Sequence, residues 1–185
     1  MGNNAGNLLK DFLSQNPGVL MDAEDIKTFA FRKVYWCNGY VCTTVNGRPE
    51  YLHRLIMKAT KEQEVDHKNN NVSDNRKSAL RICTHSQNMR NSSVRADNTS
   101  GYKGVSWDKS RDKFEAYIHL VGAFSKKSYK KHLGRFDTAE QAAEAYNVAA
   151  LRYHGEFAKL NVLTGSRAGK AMEEGDNAKL LDLWS

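Results

Sequence analysis

The sequence predicts an α+β fold in two consecutive units, and three observations carry that prediction. Two Asn-Gly pairs, Asn38-Gly39 and Asn46-Gly47, separate runs of β-branched and aromatic residues, the pattern of tight β-hairpins. Lys113 to Leu120 alternates strictly. Phe114, Ala116, Ile118 and Leu120 fall on one side, and Lys113, Glu115, Tyr117 and His119 on the other, which predicts a half-buried strand. Beyond Thr138 the period changes. Ala142, Tyr146, Ala149, Ala150 and Tyr153 recur at helical spacing.

The elements follow in order. Gly6 to Leu13 predicts a short helix, and Asn16-Pro17-Gly18 a turn. Phe31 to Met57 predicts strands joined by the two Asn-Gly turns. Val65 to Asn91 is polar, rich in loops and dense in His, Asp and Asn. It predicts a strand, a loop, a second strand and the start of a helix capped by Thr84 with Gln87. Residues 1–94 form the first domain, 95–100 a polar linker, 101–162 the second domain and 163–185 a tail. In the second domain Tyr102–Trp107 and Tyr129–Phe136 flank the alternating strand to give a three-stranded antiparallel sheet. One helix, started by a Thr138/Gln141 capping box and stopped at Gly155, packs on it through small alanines. Leu180, Leu181 and Trp184 suggest a last helical turn or a mobile end.

Composition bounds the function. The chain has 185 residues, 40% of them hydrophobic, which is enough for folded cores. Its formal charge of +7 is concentrated. Between Gly101 and Arg135 nine Lys/Arg meet three acids, whereas Val162–Ser185 is slightly acidic. A basic patch of this kind suits a polyanion. No apolar stretch is long enough to span a bilayer and the N-terminus lacks a signal peptide, so no membrane partner is expected. The three cysteines, Cys37, Cys42 and Cys83, cannot build a four-cysteine zinc site. They are expected as free thiols in a reducing compartment, with one disulfide as the alternative.

The chemistry-bearing segment is Val65-Asp66-His67, then Asp74-Asn75-Arg76, Leu80-Arg81-Ile82-Cys83 and Thr84-His85-Ser86-Gln87-Asn88. A strand–loop–strand–helix path brings Asp66 toward Asn88. Both offer oxygen donors, which suit Mg2+ or Mn2+ better than zinc. His67, with an ordinary pKa near neutrality, is the expected general base for activating water in phosphodiester hydrolysis. From Tyr35 to Asn91 these motifs, with His53-Arg54-Leu55 ahead of them, resemble the HNH, or ββα-metal, endonuclease family. The resemblance implies a ββα-metal unit with Asp66 and Asn88 holding the metal and His67 activating water. His53, Asn75 and Arg76 are expected as structural support. One position departs from the family. Where an Asn should orient the base, the chain reads Ser78-Ala79-Leu80, and Ala79 cannot hydrogen-bond an imidazole. Either Ala79 is an inactivating substitution, or the site is naturally weak or repurposed.

The second unit resembles the APETALA-type ethylene-response-factor DNA-binding domain, which also occurs fused to HNH nucleases. The matching residues are Gly101-Tyr102-Lys103-Gly104-Val105, Leu133-Gly134-Arg135-Phe136-Asp137-Thr138, Glu140-Gln141-Ala142-Ala143-Glu144-Ala145-Tyr146, His154-Gly155 and Ala158-Lys159-Leu160-Asn161. The resemblance implies a sheet docked in the major groove of double-stranded DNA, reading through Lys103, Ser106, Lys109, Arg111, Tyr117, His119, Lys130 and His132. Trp107 is expected on the same basic face.

Two functions therefore stand as expectations. One is a metal-dependent HNH endonuclease of the homing or mobile phage type, acting on DNA in the cytoplasm of a bacterial host. The other is a catalytically dead, nuclease-derived, sequence-specific DNA-binding protein. Monomer and dimer both stay open, as do the target site and the choice between a nick and a double-strand break.

Overall fold

The computed structural model describes residues 4–122 and 127–163. The residues of the expected C-terminal helical turn, Leu180, Leu181 and Trp184, lie outside them. The chain divides into two compact units, Met1–Asn88 and Met89–Ser185.

The first unit opens with α1 (Asn4–Gln15) and α2 (Ala23–Phe29). α1 runs longer than its sequence pattern implied, and α2 had no cap signal to announce it: Asp22 precedes it without a capping side-chain bond. A meander follows, β1 (Val34–Cys37), β2 (Tyr40–Val45) and β3 (Arg48–Tyr51), paired antiparallel in that order. Its two turns are the Asn-Gly pairs. Asn38 and Gly39 have φ of 50° and 78°, Asn46 and Gly47 of 49° and 75°. Two successive positive φ values match the right-handed twist of the strands that the turn joins.

The expected strand through Met57 stops early. Leu52–Ile56 is a short helix, α3, with Leu52, His53 and Ile56 buried. Leu52, Leu55 and Ile56 recur at helical spacing, and burial of that stripe outweighs the β-branched run before it. The chain then forms β4 (Glu64–His67), β5 (Leu80–Cys83) and α4 (His85–Asn91). β4 and β5 pair antiparallel, Asp66 opposite Arg81 and His67 opposite Leu80. Thr84 and Gln87 make the expected capping contacts: Thr84 N donates to Gln87 Oε1 at 2.8 Å and Gln87 N to Thr84 Oγ1 at 3.3 Å. Phe12, Val19, Ile26, Phe29, Val41, Leu52, Ile56, Val65 and Leu80 form one core that ties the N-terminal helices to β4 and β5.

The cysteines correct an expectation. Cys37 and Cys42 are joined in a disulfide, with their Cα atoms 6.0 Å apart. The tight Asn38-Gly39 turn folds the chain back and brings them within bonding reach. Cys83 alone is a free thiol, and burial, with Asp66 and Glu64 nearby, pushes it up to about 11.

The second unit is a sheet of β6 (Val105–Asp108), β7 (Lys113–Val121) and β8 (Ser128–Phe136), in that order and antiparallel, followed by α5 (Ala139–His154) and a 3-10 turn at Gly155–Phe157. β6 starts later than the sequence suggested because Gly101 and Gly104, at φ 77° and 74°, bend the chain before it. The inward side of β7 packs on α5 through Ala142, Ala143, Tyr146, Ala149 and Ala150. Thr138 and Gln141 form the capping box, and Gly155, at φ 55°, ends the helix. Opposite Ala116 and Tyr117 the register shifts: Tyr117 pairs with His132 but Ala116 with Gly134. Leu133 is thereby left over and packs into the core.

Candidate functional site

Two places carry the residues that the sequence singled out, one in each unit.

On the outer side of the second unit's sheet, the side away from α5, strand alternation and register set the neighbours. Tyr117 lies opposite His132, His119 opposite Lys130, and Ser106 beside Glu115, which in turn lies beside Arg135. Lys130 Nζ sits 3.9 Å above the Tyr117 ring, a cation–π contact that pins a flexible side chain. Tyr117 also meets His119 edge to face at 5.6 Å. Lys109 and Arg111 stand exposed in the β6–β7 turn. Arg111 is tethered to Asp108 at 3.1 Å, and Arg135 reaches the same carboxylate at 3.5 Å. Hydrogen bonds from Ser110, then Arg111, hold the Asp108 carboxyl down to about 2. So five of the eight expected reading residues (Arg111, Tyr117, His119, Lys130 and His132) are linked by register and contacts on this side, Lys109 stands exposed in the turn next to Arg111, and Ser106 sits half-buried opposite Glu115.

Two residues do not fit the expectation. The Lys103 ammonium is turned inward, donating to the carbonyls of Arg90 and Ser92 at 2.6 Å each. Burial, with Lys159 nearby, lowers it to about 8. Trp107 lies opposite Phe114, the ring centroids 4.7 Å apart, so it belongs to the inward side and leaves the basic face. Strand parity decides this: Trp107 is one residue out of phase with Ser106. The sequence placed Glu115 on the outer side of β7 without giving it a role. It is the acid within the patch, with His132 Nε2 at 3.2 Å and Lys130 Nζ at 3.7 Å. Asn161 stands in the motif Ala158-Lys159-Leu160-Asn161 quoted from the sequence, but no local pattern showed what it does. Its amide clamps the backbone of Lys103 from both ends, at 2.7 and 3.0 Å, and Asn147 clamps Asn161 in turn.

In the first unit β4 presents Glu64 and Asp66 on one side. Asp66 Oδ2 accepts from Arg81 Nε and Nη2 at 2.8 and 2.6 Å. Glu64, which sequence reading passed over, is held by α4: Asn88 Nδ2 donates to its Oε2 at 2.6 Å and His85 Nδ1 lies 2.7 Å from Oε1. Those contacts, the Asn88 bond first, hold the Glu64 carboxyl below its ordinary value. α4 therefore brings Asn88 to the same side of β4 as Asp66. Asp66 and Glu64 carry carboxylate oxygens on this side of β4, the donor type that Mg2+ or Mn2+ takes, while Asp66 is held by Arg81 and Asn88 turns its Nδ2 to Glu64. Among the described residues no three His, Cys, Asp or Glu side chains gather at metal-binding distance.

His67, the last residue of β4, turns to the other side. Its ring lies 5.1 Å from the His53 ring and 6.2 Å from Tyr40. Both histidines are buried, and burial lowers both, His53 to about 4. For His67 the nearby Asp66 and Asp74 carboxylates oppose the effect of burial. Ala79 precedes β5 and offers only its backbone, its carbonyl accepting from Lys68 N at 2.9 Å. Arg76 meets Asp74 in a paired contact at 2.8 and 2.6 Å within the loop.

The comparisons with known proteins bear on the second unit. No curated protein and no solved structure matches the chain. One family model does match, and it covers the sheet, its shifted register and α5: an AP2 domain is found at residues 100–156.

Proposed function

We propose that the protein binds double-stranded DNA in a sequence-specific manner through the outer side of its β6–β8 sheet. The observation that carries this is the AP2 match at residues 100–156, because AP2 domains bind double-stranded DNA. The patch itself supports the reading. A twisted three-stranded sheet can enter a major groove as a helix does. In this reading Lys109, Arg111 and Lys130 would meet phosphates, which supply affinity, while Tyr117, His119 and His132, on the central and edge strands, would meet base edges. The cation–π contact and the Glu115 pairs hold these side chains before DNA arrives, so less side-chain freedom is lost on binding. Selection of bound duplexes from a random pool tests the proposal. A recovered consensus supports it, and binding without any sequence preference contradicts it.

A second reading, metal-dependent phosphodiester hydrolysis by the first unit, is favoured by one specific observation. β4, β5 and α4 stand in the order ββα and bring Asn88 to the Asp66 side of β4, with His67 next in sequence. Asp66 and Asn88, with Glu64 beside them, would hold Mg2+ or Mn2+. The cation would neutralise charge developing on the scissile phosphate. His67, buried and neutral, would accept the proton of the attacking water. The AP2 domain would then position the cut. Supercoiled plasmid incubated with Mg2+, with and without EDTA, separates the readings. EDTA-sensitive nicking or linearisation supports hydrolysis, and intact plasmid that is still bound leaves a DNA-binding protein.

A further inference from the structure

Lys113, Glu115, Tyr117 and His119 share the outer side of β7, and of these four Glu115 alone carries negative charge. β7 is the middle strand, so Glu115 stands inside the face, opposite Ser106 on β6 and Arg135 on β8. Its side chain is 23% exposed, which leaves the carboxylate within reach of a ligand. His132 Nε2 lies 3.2 Å from Oε1. Lys130 Nζ lies 3.7 Å from Oε2, an ion pair longer than a hydrogen bond, and is itself set 3.9 Å over the Tyr117 ring. Two cations thus hold the carboxylate in place without filling it, since its two oxygens offer about four acceptor positions.

A carboxylate in this place works against phosphate binding: it repels the phosphates and has no proton to donate to them. What it can do in a groove is accept. The major-groove edges of the bases present two amines, N4 of cytosine and N6 of adenine. Adenine carries its N7 acceptor beside N6, where it would face the second carboxylate oxygen lone pair to lone pair. Cytosine carries no acceptor beside N4 on its own edge, so it suits a carboxylate better.

We infer that Glu115 is a specificity-determining residue, whose carboxylate accepts a hydrogen bond from the N4 amine of one cytosine in the bound duplex. The inference rests on the DNA-binding reading of the sheet and adds to it the base that one residue selects. His132 and Lys130 then have a second task. They offset the repulsion between Glu115 and the phosphates, and they hold its carboxylate still, which leaves less freedom to lose on binding.

Duplexes bound by the full-length wild type, Glu115→Gln and Glu115→Ala are selected from a random pool, once circular dichroism has shown the variants folded. The wild type is expected to require cytosine at one position. Glu115→Gln keeps the shape and gains an amide donor, so that position is expected to move toward adenine, whose N6 and N7 match a glutamine amide. Glu115→Ala is expected to leave it open, with the other positions unchanged. Changing that cytosine to thymine puts the O4 acceptor where the amine was. It should weaken wild-type binding about 5- to 30-fold in fluorescence anisotropy, and Glu115→Ala binding by less than about 2-fold. A cytosine still required by Glu115→Ala, or a wild-type consensus without a required cytosine, would overturn the inference and leave sequence-specific binding in place. So would an affinity loss spread equally over all sequences, the mark of a carboxylate that only orders His132 and Lys130. If Glu115→Ala does not fold, Glu115→Gln decides, and a wild-type consensus from it overturns the inference. A wild type that recovers no consensus removes the sequence-specific reading itself, and the inference with it.

Discussion

Replacing Gly104 by Ala should disable the DNA-binding unit by unfolding it, and the cost can be worked from local geometry. Gly104 has φ +74°, and a Cβ there would lie 2.1 and 2.5 Å from two ring carbons of Tyr146 and 2.6 Å from the Tyr117 carbonyl oxygen. A left-handed backbone with a side chain costs about 1–2 kcal/mol. Overpacking adds about 1–3 kcal/mol, toward the upper end here because one neighbour is backbone and cannot rotate away. The sum is roughly 3–5 kcal/mol, or a fall of about 12–40 °C in the Tm of a unit this size. Gly101 supplies the control. Its φ is +77°, yet nothing lies within 4 Å of its would-be Cβ, so Gly101→Ala should cost only the backbone part, ~1–2 kcal/mol. Thermal unfolding followed by circular dichroism on both variants isolates the clash as their difference. Equal losses at 101 and 104 would refute the packing of the Gly104 turn against Tyr146.

Other outcomes follow from the same geometry. Lys130→Ala should weaken duplex binding and reduce the slope of log affinity against log salt by about 1, one phosphate contact, in fluorescence anisotropy between low and physiological salt. Thr138→Ala removes the capping bond to Gln141 N and should cost about 1 kcal/mol in urea unfolding. His53 is buried and lowered to about 4, so its neutral form is the one that the fold favours. Its contribution is complete above the ordinary value of 6.5 and is lost as pH falls from there toward 4. A shift of that size corresponds to about 3 kcal/mol of stability, to be read from urea midpoints at pH 7.5 and 4.5. His53→Leu should flatten that dependence.

Much of the second unit was legible because its signals are local. Phe114, Ala116, Ile118 and Leu120 alternate without interruption, and Thr138, Gln141 and Gly155 mark both ends of α5. The same was true of the Asn-Gly turns and of β4, β5 and α4. Short helices were not legible: α2 and α3 span seven and five residues, and neither has a side-chain cap. Side-chain partners proved hardest, because they depend on residues distant in the chain. Lys103 looks like a surface lysine until the carbonyls of Arg90 and Ser92 fold beneath it. Trp107 changes sides on strand parity alone. Asn75 is steadied by Leu20, which no local pattern connects to it, and Glu64 draws no notice until α4 lays Asn88 and His85 against it.

The most direct measurement of the central claim is an NMR titration of the full chain with a selected DNA duplex. The account predicts that resonances of Tyr117, His119, Lys130 and His132 shift first and furthest, while the exposed side of α5 stays unmoved. Shifts concentrated on α5, with the outer side of the sheet silent, would contradict it.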